Sequence, residues 1–300
     1  MNIVRRLTSY VHRLHRATAD AFRRFNEDDG WAIASHIALS GLMALFPFLL
    51  VLTALAGLFG ARYLASEAAT ILLETWPQQV SAPLAREIDN VLTSARGGAF
   101  TVGALLALFF ASAGIESLRI GLNRAYDMVD RRHWLLLRLE SIVYTIIAAI
   151  ALLALSFLVF LAPLIWRSAV SLVPQLEPLA GTVTILRFGL AGLLIGVALI
   201  IVHLWLPAGR RRLRDILPGV IATLALWLIA GTVFGRYLAE FAFTYSIYYA
   251  GLATPMIALV FLYFSSLIFI FGGELNNAIG IIRRERIGSG TEAEEAQTGR

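Results

Sequence analysis

The chain has no cysteine and no lysine among its 300 residues. Without cysteine it has no disulfides, thiolate metal sites or thiol catalysis. Without lysine it lacks the phosphate-gripping lysine of a P-loop, and no Gly-rich loop of that kind is present. His-Glu-x-x-His and Gly-x-Ser-x-Gly are missing too. The five histidines, His12, His15, His36, His133 and His203, are too scattered to form a metal cluster with carboxylates. Charge is scarce, at 15% of residues. An enzyme acting on a soluble polymer is therefore not expected, and the chain reads as a non-enzyme without cofactor or metal. Were it an intramembrane enzyme acting on lipid, Glu116 and Glu274 would be its acid/base pair.

Apolar sequence is abundant. Hydrophobic residues make up 58% of the chain and the mean hydropathy is +0.74, outside the soluble range. Crossing a hydrocarbon core of ~30 Å takes about 20 apolar residues of helix. Six segments qualify, near 31–60, 98–126, 139–165, 182–206, 216–238 and 251–281. The predicted fold is all-α, a polytopic six-transmembrane-helix bundle. Arginine supplies all 25 basic residues, and blocks of it alternate between the connections. One side holds 19: Arg5, Arg6, Arg13, Arg16, Arg23, Arg24, Arg119, Arg124, Arg131, Arg132, Arg138, Arg210, Arg211, Arg212, Arg214, Arg283, Arg284, Arg286 and Arg300. The other holds 6: Arg62, Arg86, Arg96, Arg167, Arg187 and Arg236. The positive-inside rule then places both termini in the cytoplasm of a bacterial inner membrane.

Three divisions are expected. In residues 1–30, Ile3, Val4, Leu7, Val11, Leu14, Phe22 and Phe25 recur at helical spacing opposite arginine. Such a basic amphipathic helix lies on the anionic inner leaflet, so the partners expected are membrane lipids and not nucleic acid. Residues 31–281 form the membrane domain, and the polar 282–300 a disordered cytoplasmic tail. Between the first two spans, Leu64, Ala68, Ile71 and Leu72 share a helical face, as do Leu84, Ile88, Val91 and Leu92. They predict two short external helices separated by Pro77 and Pro83. Small residues recur four apart at Gly192/Gly196, Gly231/Gly235 and Gly103/Ala107/Ala111. That spacing suits close helix packing, within the bundle or in a homo-oligomer.

Ionisable groups within hydrocarbon cost at least ~2.5–3.5 kcal/mol each, so they face the bundle interior or water. Steps of three and four align Glu116, Arg119, Asn123 and Asp127 on one face of the second span. Ser35, His36 and Ser40 in the first span, His203 in the fourth, and Gly272, Gly273, Glu274, Asn276 and Asn277 in the sixth lie at a similar depth. Together they predict a polar vestibule open to the cytoplasm. Arg119 would bind an anionic headgroup through its planar fork. Glu116, Glu274 and His36 are the proton-coupling candidates, and Asn123 and Asn277 would orient them. Pro47, Gly272 and Gly273 are candidate hinges. The competing reading is an Arg119–Glu274 or Arg119–Glu116 ion pair that only sets packing.

Ordered motifs complete the picture. Phe25-Asn26-Glu27-Asp28-Asp29-Gly30 leads through Ala34 and Ala38 to Leu45-Phe46-Pro47. Leu122-Asn123-Arg124-Ala125-Tyr126, Arg214-Asp215-Ile216-Leu217-Pro218-Gly219 with Trp227, and Gly272-Gly273-Glu274-Leu275-Asn276 follow in turn. In this order they resemble the YihY/BrkB family of inner-membrane proteins, formerly labelled ribonuclease BN, from about Phe25 to Ala278. Ser40, Phe261 and Gly273 stand where the family has Tyr, Trp and Ala. The resemblance implies a six-spanning inner-membrane protein, with some members linked to virulence, and points towards export or flipping of lipid-like or other envelope molecules. A non-transporting envelope scaffold is the alternative.

Overall fold

The computed structural model describes residues 2–58, 98–249 and 253–298, with side chains over 15–45, 47–48, 105–159, 161–240 and 255–285. The two external helices expected within 62–97 lie outside the described residues. The described chain is helical, without a strand. Its helices are α1 (Asn2–Glu27), α2 (Gly30–Leu58), α3 (Gly98–Ala125), α4 (Trp134–Ser156), α5 (Ala162–Leu172), α6 (Ala180–Trp205), α7 (Leu213–Tyr249) and α8 (Ala253–Thr298).

Five helical segments are long and apolar enough to cross a membrane: Leu105–Ala125, Trp134–Leu172, Pro174–Trp205, Leu213–Glu240 and Pro255–Glu285. The described side chains of α2 form a shorter apolar stretch, Gly30–Leu45, and Pro47 lies inside that helix. Between α4 and α5 the backbone widens into a π turn over Phe157–Leu161. Pro163 explains it, because proline has no N–H for the helical ladder and its ring crowds the carbonyl four residues back. A 3₁₀ turn, Pro174–Leu179, leads into α6.

The core gathers where α2, α3, α7 and α8 cross. Ile37, Leu122, Ile216, Val220, Leu267 and Ile270 are buried there. A second cluster joins Ala17 and Ala21 of α1 to Leu275 and Ala278 of α8. The inward face of α1 is thus set by small residues and Phe25, while Phe22 is exposed. By contrast, α4 buries only Ser141, Thr145 and Ala149, and α6 only Ala191, Leu199 and His203. Their apolar exteriors are large exposed side chains such as Ile185 and Leu193, the surface expected of helices solvated by lipid.

Ion pairs collect the arginine-rich segments at one end of the bundle. Arg124 reaches Asp28, Arg283 reaches Asp215, and Arg16 reaches Glu285. Beyond this end α8 stays helical over residues 282–298 of the stretch expected from sequence to be a disordered tail. Good helix formers in Glu292-Ala293-Glu294-Glu295-Ala296 suit that extension.

The glycine pairs spaced by four do not mark the tight crossings. A methyl group added at Gly192, Gly231 or Gly235 would meet nothing within 4 Å, and at Gly196 only Leu224, at 3.7 Å. Close backbone approach occurs instead between Gly219 of α7 and Gly272 of α8. A Cβ on Gly219 would overlap the Gly272 carbonyl oxygen and lie 2.6 Å from Asn276 Cγ.

Candidate functional site: polar groups at the arginine-rich end

The stripe on α3 shares one face, as its spacing requires, and that face meets α4 and the adjoining turns. Arg119, 3% exposed, is fully engaged. Its Nη1 donates to the Leu137 carbonyl at 2.8 Å and the Ser141 hydroxyl at 3.0 Å. Its Nη2 lies 3.5 Å from Glu116 Oε1. The other Glu116 oxygen accepts from Arg138 Nη1, and Arg138 also stacks on Phe109 at 3.8 Å. Of the two candidate ion pairs, the structure has Arg119–Glu116. Arg119 makes no contact with Glu274, and it lines a helix interface, not an open vestibule. Arg119→Ala is therefore expected to cost about 1–3 kcal/mol, the usual range for leaving buried partners unsatisfied. The check is the thermal midpoint of purified protein in detergent.

One turn further along α3, Asn123 ties two connections together. Its Oδ1 accepts from the Ala208 N–H at 2.7 Å and its Nδ2 donates to Asp130 at 3.4 Å. Asp130 grips Arg132 in bidentate fashion, at 2.9 and 2.7 Å. That hydrogen bonding holds the Asp130 carboxyl down at about 2. The contact persists above that value and is lost only as the pH falls through it. Arg132 also reaches Glu140 at 2.7 Å and the Leu206 carbonyl at 3.3 Å. Asp127 turns the chain out of α3 with φ of 55°, a left-handed conformation that Asp tolerates better than most residues.

Around α8, Glu274, Asn276 and His203 are buried, Asn277 is half-buried and His36 is exposed. Asn277 donates to the Ala125 carbonyl at 3.2 Å. Gly272 and Gly273 pack against Gly219 and Ala125 respectively. The helix runs unbroken through both, and both serve close approach to neighbouring helices. His36 contacts the Ser117 hydroxyl at 3.5 Å. His203 bonds the Leu199 carbonyl at 2.9 Å and sits edge-on to Tyr126 and Phe269.

Glu274 stands apart from these. It is 1% exposed and neither carboxylate oxygen has a hydrogen-bond partner. Its neighbours in sequence fix its place: Gly273 packs against α3 and Leu275 against α1. Buried carboxyls without a partner are rare and call for an explanation.

Comparison with known proteins is decisive about kinship. The profile of the family described as virulence factor BrkB matches residues 21–297. The chain belongs to the BrkB family. It is a membrane protein. One relative, the ribonuclease-like protein YfkH of Bacillus subtilis, is 26% identical over 86% of this chain and 92% of its own length. Another, a UPF0761 membrane protein of Rhodospirillum centenum, is 28% identical over 85% of this chain. The chain spans about half of that relative's length, 55%. No solved structure matches.

In this BrkB chain a buried residue that was not chosen from sequence as a site also joins three elements. Asn276 accepts from the Gly219 N–H at 2.6 Å and donates to the Tyr126 hydroxyl at 3.0 Å. It thereby links α7, α8 and the end of α3. The clue in sequence is Pro218, whose missing N–H and bulky ring disturb the helical ladder beside Gly219. Asn276→Ala would strand a buried N–H and a buried hydroxyl, at about 1–3 kcal/mol each. The expected outcome is a clearly lower thermal midpoint, whereas Asn277→Ala, which gives up one part-buried bond, falls by less. Side-by-side melts of the two variants check this.

Proposed function

We propose that this BrkB protein is a six-span bacterial inner-membrane transporter or lipid translocase, and that Glu274 carries its coupling proton. The observation that carries this reading is the Glu274 carboxyl, buried in a membrane-crossing helix with both oxygens unpartnered. Such a group has a desolvation cost that proton uptake relieves, and intramembrane acids of this kind mark proton relays. α2 supplies the sixth span. The arginine-rich end faces the cytoplasm by the positive-inside rule, which puts both termini there. α1, in residues 1–30, lies along the inner leaflet against membrane lipids, residues 31–281 form the transport domain, and 282–300 extend into the cytoplasm.

One relative's name speaks of a ribonuclease. Among the described residues no three of His, Asp and Glu stand together as metal ligands, so the translocase reading is preferred to RNA cleavage. A scaffold role is the second reading, favoured by the complete internal satisfaction of Arg119. Reconstitution separates the two. Purified protein is placed in liposomes with fluorescent phospholipid, an impermeant quencher is added outside, and a pH gradient is applied or omitted. Translocation predicts quenching beyond the outer-leaflet half, faster with the gradient; a scaffold leaves quenching at that half under both conditions.

A further inference from the structure

An opening lies beside the buried cluster, at the arginine-rich end. A cleft of about 700 Å³ separates the α3–α4 connection from the α6–α7 connection. Asp130, Arg131, Arg132, Trp205, Arg210 and Arg211 are among its walls. The chain brings these together through Gly209. Its φ of 89° is a left-handed turn, and a Cβ there would sit 2.6 Å from Met128 Cε. Gly209 thus lets the arginine block fold down against the neighbouring connection.

Four guanidiniums face one aspartate in this cleft, and that aspartate is already committed to Arg132. Arg131 and Arg210 are exposed, with no acidic partner among the described residues. Arg211 is held differently. Its guanidinium lies 3.9 Å over the Tyr126 ring, and Nη2 donates to the Ala208 carbonyl at 3.0 Å. Nη1 is shut from solvent and has no partner. Burial lowers the Arg211 guanidinium from its ordinary value, as expected of a cation lacking a counter-ion. Tyr126 in turn accepts from Asn276, so the cleft abuts the interior polar groups of α8.

We propose that this cleft binds a phosphate group, with Arg131, Arg210 and Arg211 as its ligands and Arg132 as a positioning residue locked by Asp130 and Glu140. Planar guanidiniums match phosphate oxygens in paired hydrogen bonds, and three uncompensated cations suit an anion of more than one charge. The surroundings identify a phospholipid headgroup as its source. Trp205 is 61% exposed, and Leu204 and Pro207 line the cleft with it. Aromatic and apolar groups around a basic cleft are what the headgroup level of a bilayer accommodates. This names the substrate chemistry for the translocase reading and rests on that reading for the membrane placement alone.

The test is binding by the full chain in neutral detergent, followed by thermal shift without any gradient. The probes are dihexanoyl phosphatidic acid, inorganic phosphate and phosphate-free diacylglycerol. Arg131→Gln/Arg210→Gln removes two exposed ligands and leaves the core untouched. Arg211→Gln repeats the test from inside the cleft. Arg23→Gln/Arg284→Gln removes the same charge from exposed positions elsewhere. Phosphatidic acid is expected to stabilise the wild type, with about tenfold or greater loss of affinity in both cleft variants and none in the distant one. Binding of phosphatidic acid alone identifies the headgroup, and equal binding of inorganic phosphate identifies a soluble phosphate compound; either supports the site. The proposal is overturned if neither phosphate probe binds, if the cleft variants bind like wild type, if the distant variant loses as much, or if diacylglycerol binds equally well. A protein that binds phosphate but does not translocate lipid would refute the function above and leave the cleft standing.

Discussion

Gly219→Ala is expected to abolish the folded protein, the largest effect of any single methyl group in the described chain. The added Cβ would occupy the space of the Gly272 carbonyl oxygen, and that oxygen belongs to backbone that no rotamer change can move. It would also press on the Asn276 amide, 2.6 Å from Cγ, and displace the oxygen that accepts from the Gly219 N–H. Overpacking commonly costs 1–3 kcal/mol where side chains can yield; here the helices must part, so the cost is at least about 3 kcal/mol. Gly272→Ala is milder. Its closest clash is the Thr223 hydroxyl, which can rotate, and Gly219 O follows at 3.0 Å. Gly231→Ala meets nothing within 4 Å and is expected to be neutral or to stabilise by up to about 1 kcal/mol through helix propensity. Detergent-solubilised monodisperse yield, compared across the three variants, checks the order.

Glu274→Gln is expected to do the opposite: keep the fold and lose the function. The amide has nearly the same shape, and the carboxyl gives up no hydrogen bond because it makes none. Replacing a buried ionisable group by a neutral one removes a desolvation cost, so the thermal midpoint should hold or rise. The amide cannot take up and release a proton over the working range, so gradient-driven transport should fall to the level of protein-free liposomes.

How far the sequence foretold this differs from residue to residue. The gathering of arginine blocks at one end was legible because they recur in alternate connections, a pattern written locally in each. The 116/119/123 stripe was legible for the same reason, since helical spacing alone puts these residues on one face. Periodicity does not say which neighbour that face meets. Arg119 therefore looked able to reach Glu274, whereas α4 offers it Leu137, Ser141 and, through Arg138, a shared hold on Glu116. The choice between Asn276 and Asn277 was invisible for a related reason. Adjacent residues point about 100° apart on a helix, and only the position of α7 makes Asn276 the buried one. Spacing by four at Gly192 and Gly231 marks no close crossing within the chain, because small residues also occur on exposed helix faces. Gly219 and Gly272 lie in different helices and share no local pattern. The cleft is not legible in sequence: the spacing of Arg131, Arg132, Arg210 and Arg211 speaks only of topology, and it takes the turn at Gly209 to make them converge.

The most direct test of the account is the gradient-stimulated part of phospholipid translocation by wild type and Glu274→Gln, reconstituted at equal amounts of folded protein. The account predicts a clear stimulation in the wild type and none in the variant, with matched thermal midpoints. Equal stimulation in both would contradict the coupling role of Glu274. A variant that fails only because it no longer folds would return that carboxyl to the structural role that Arg119 already has.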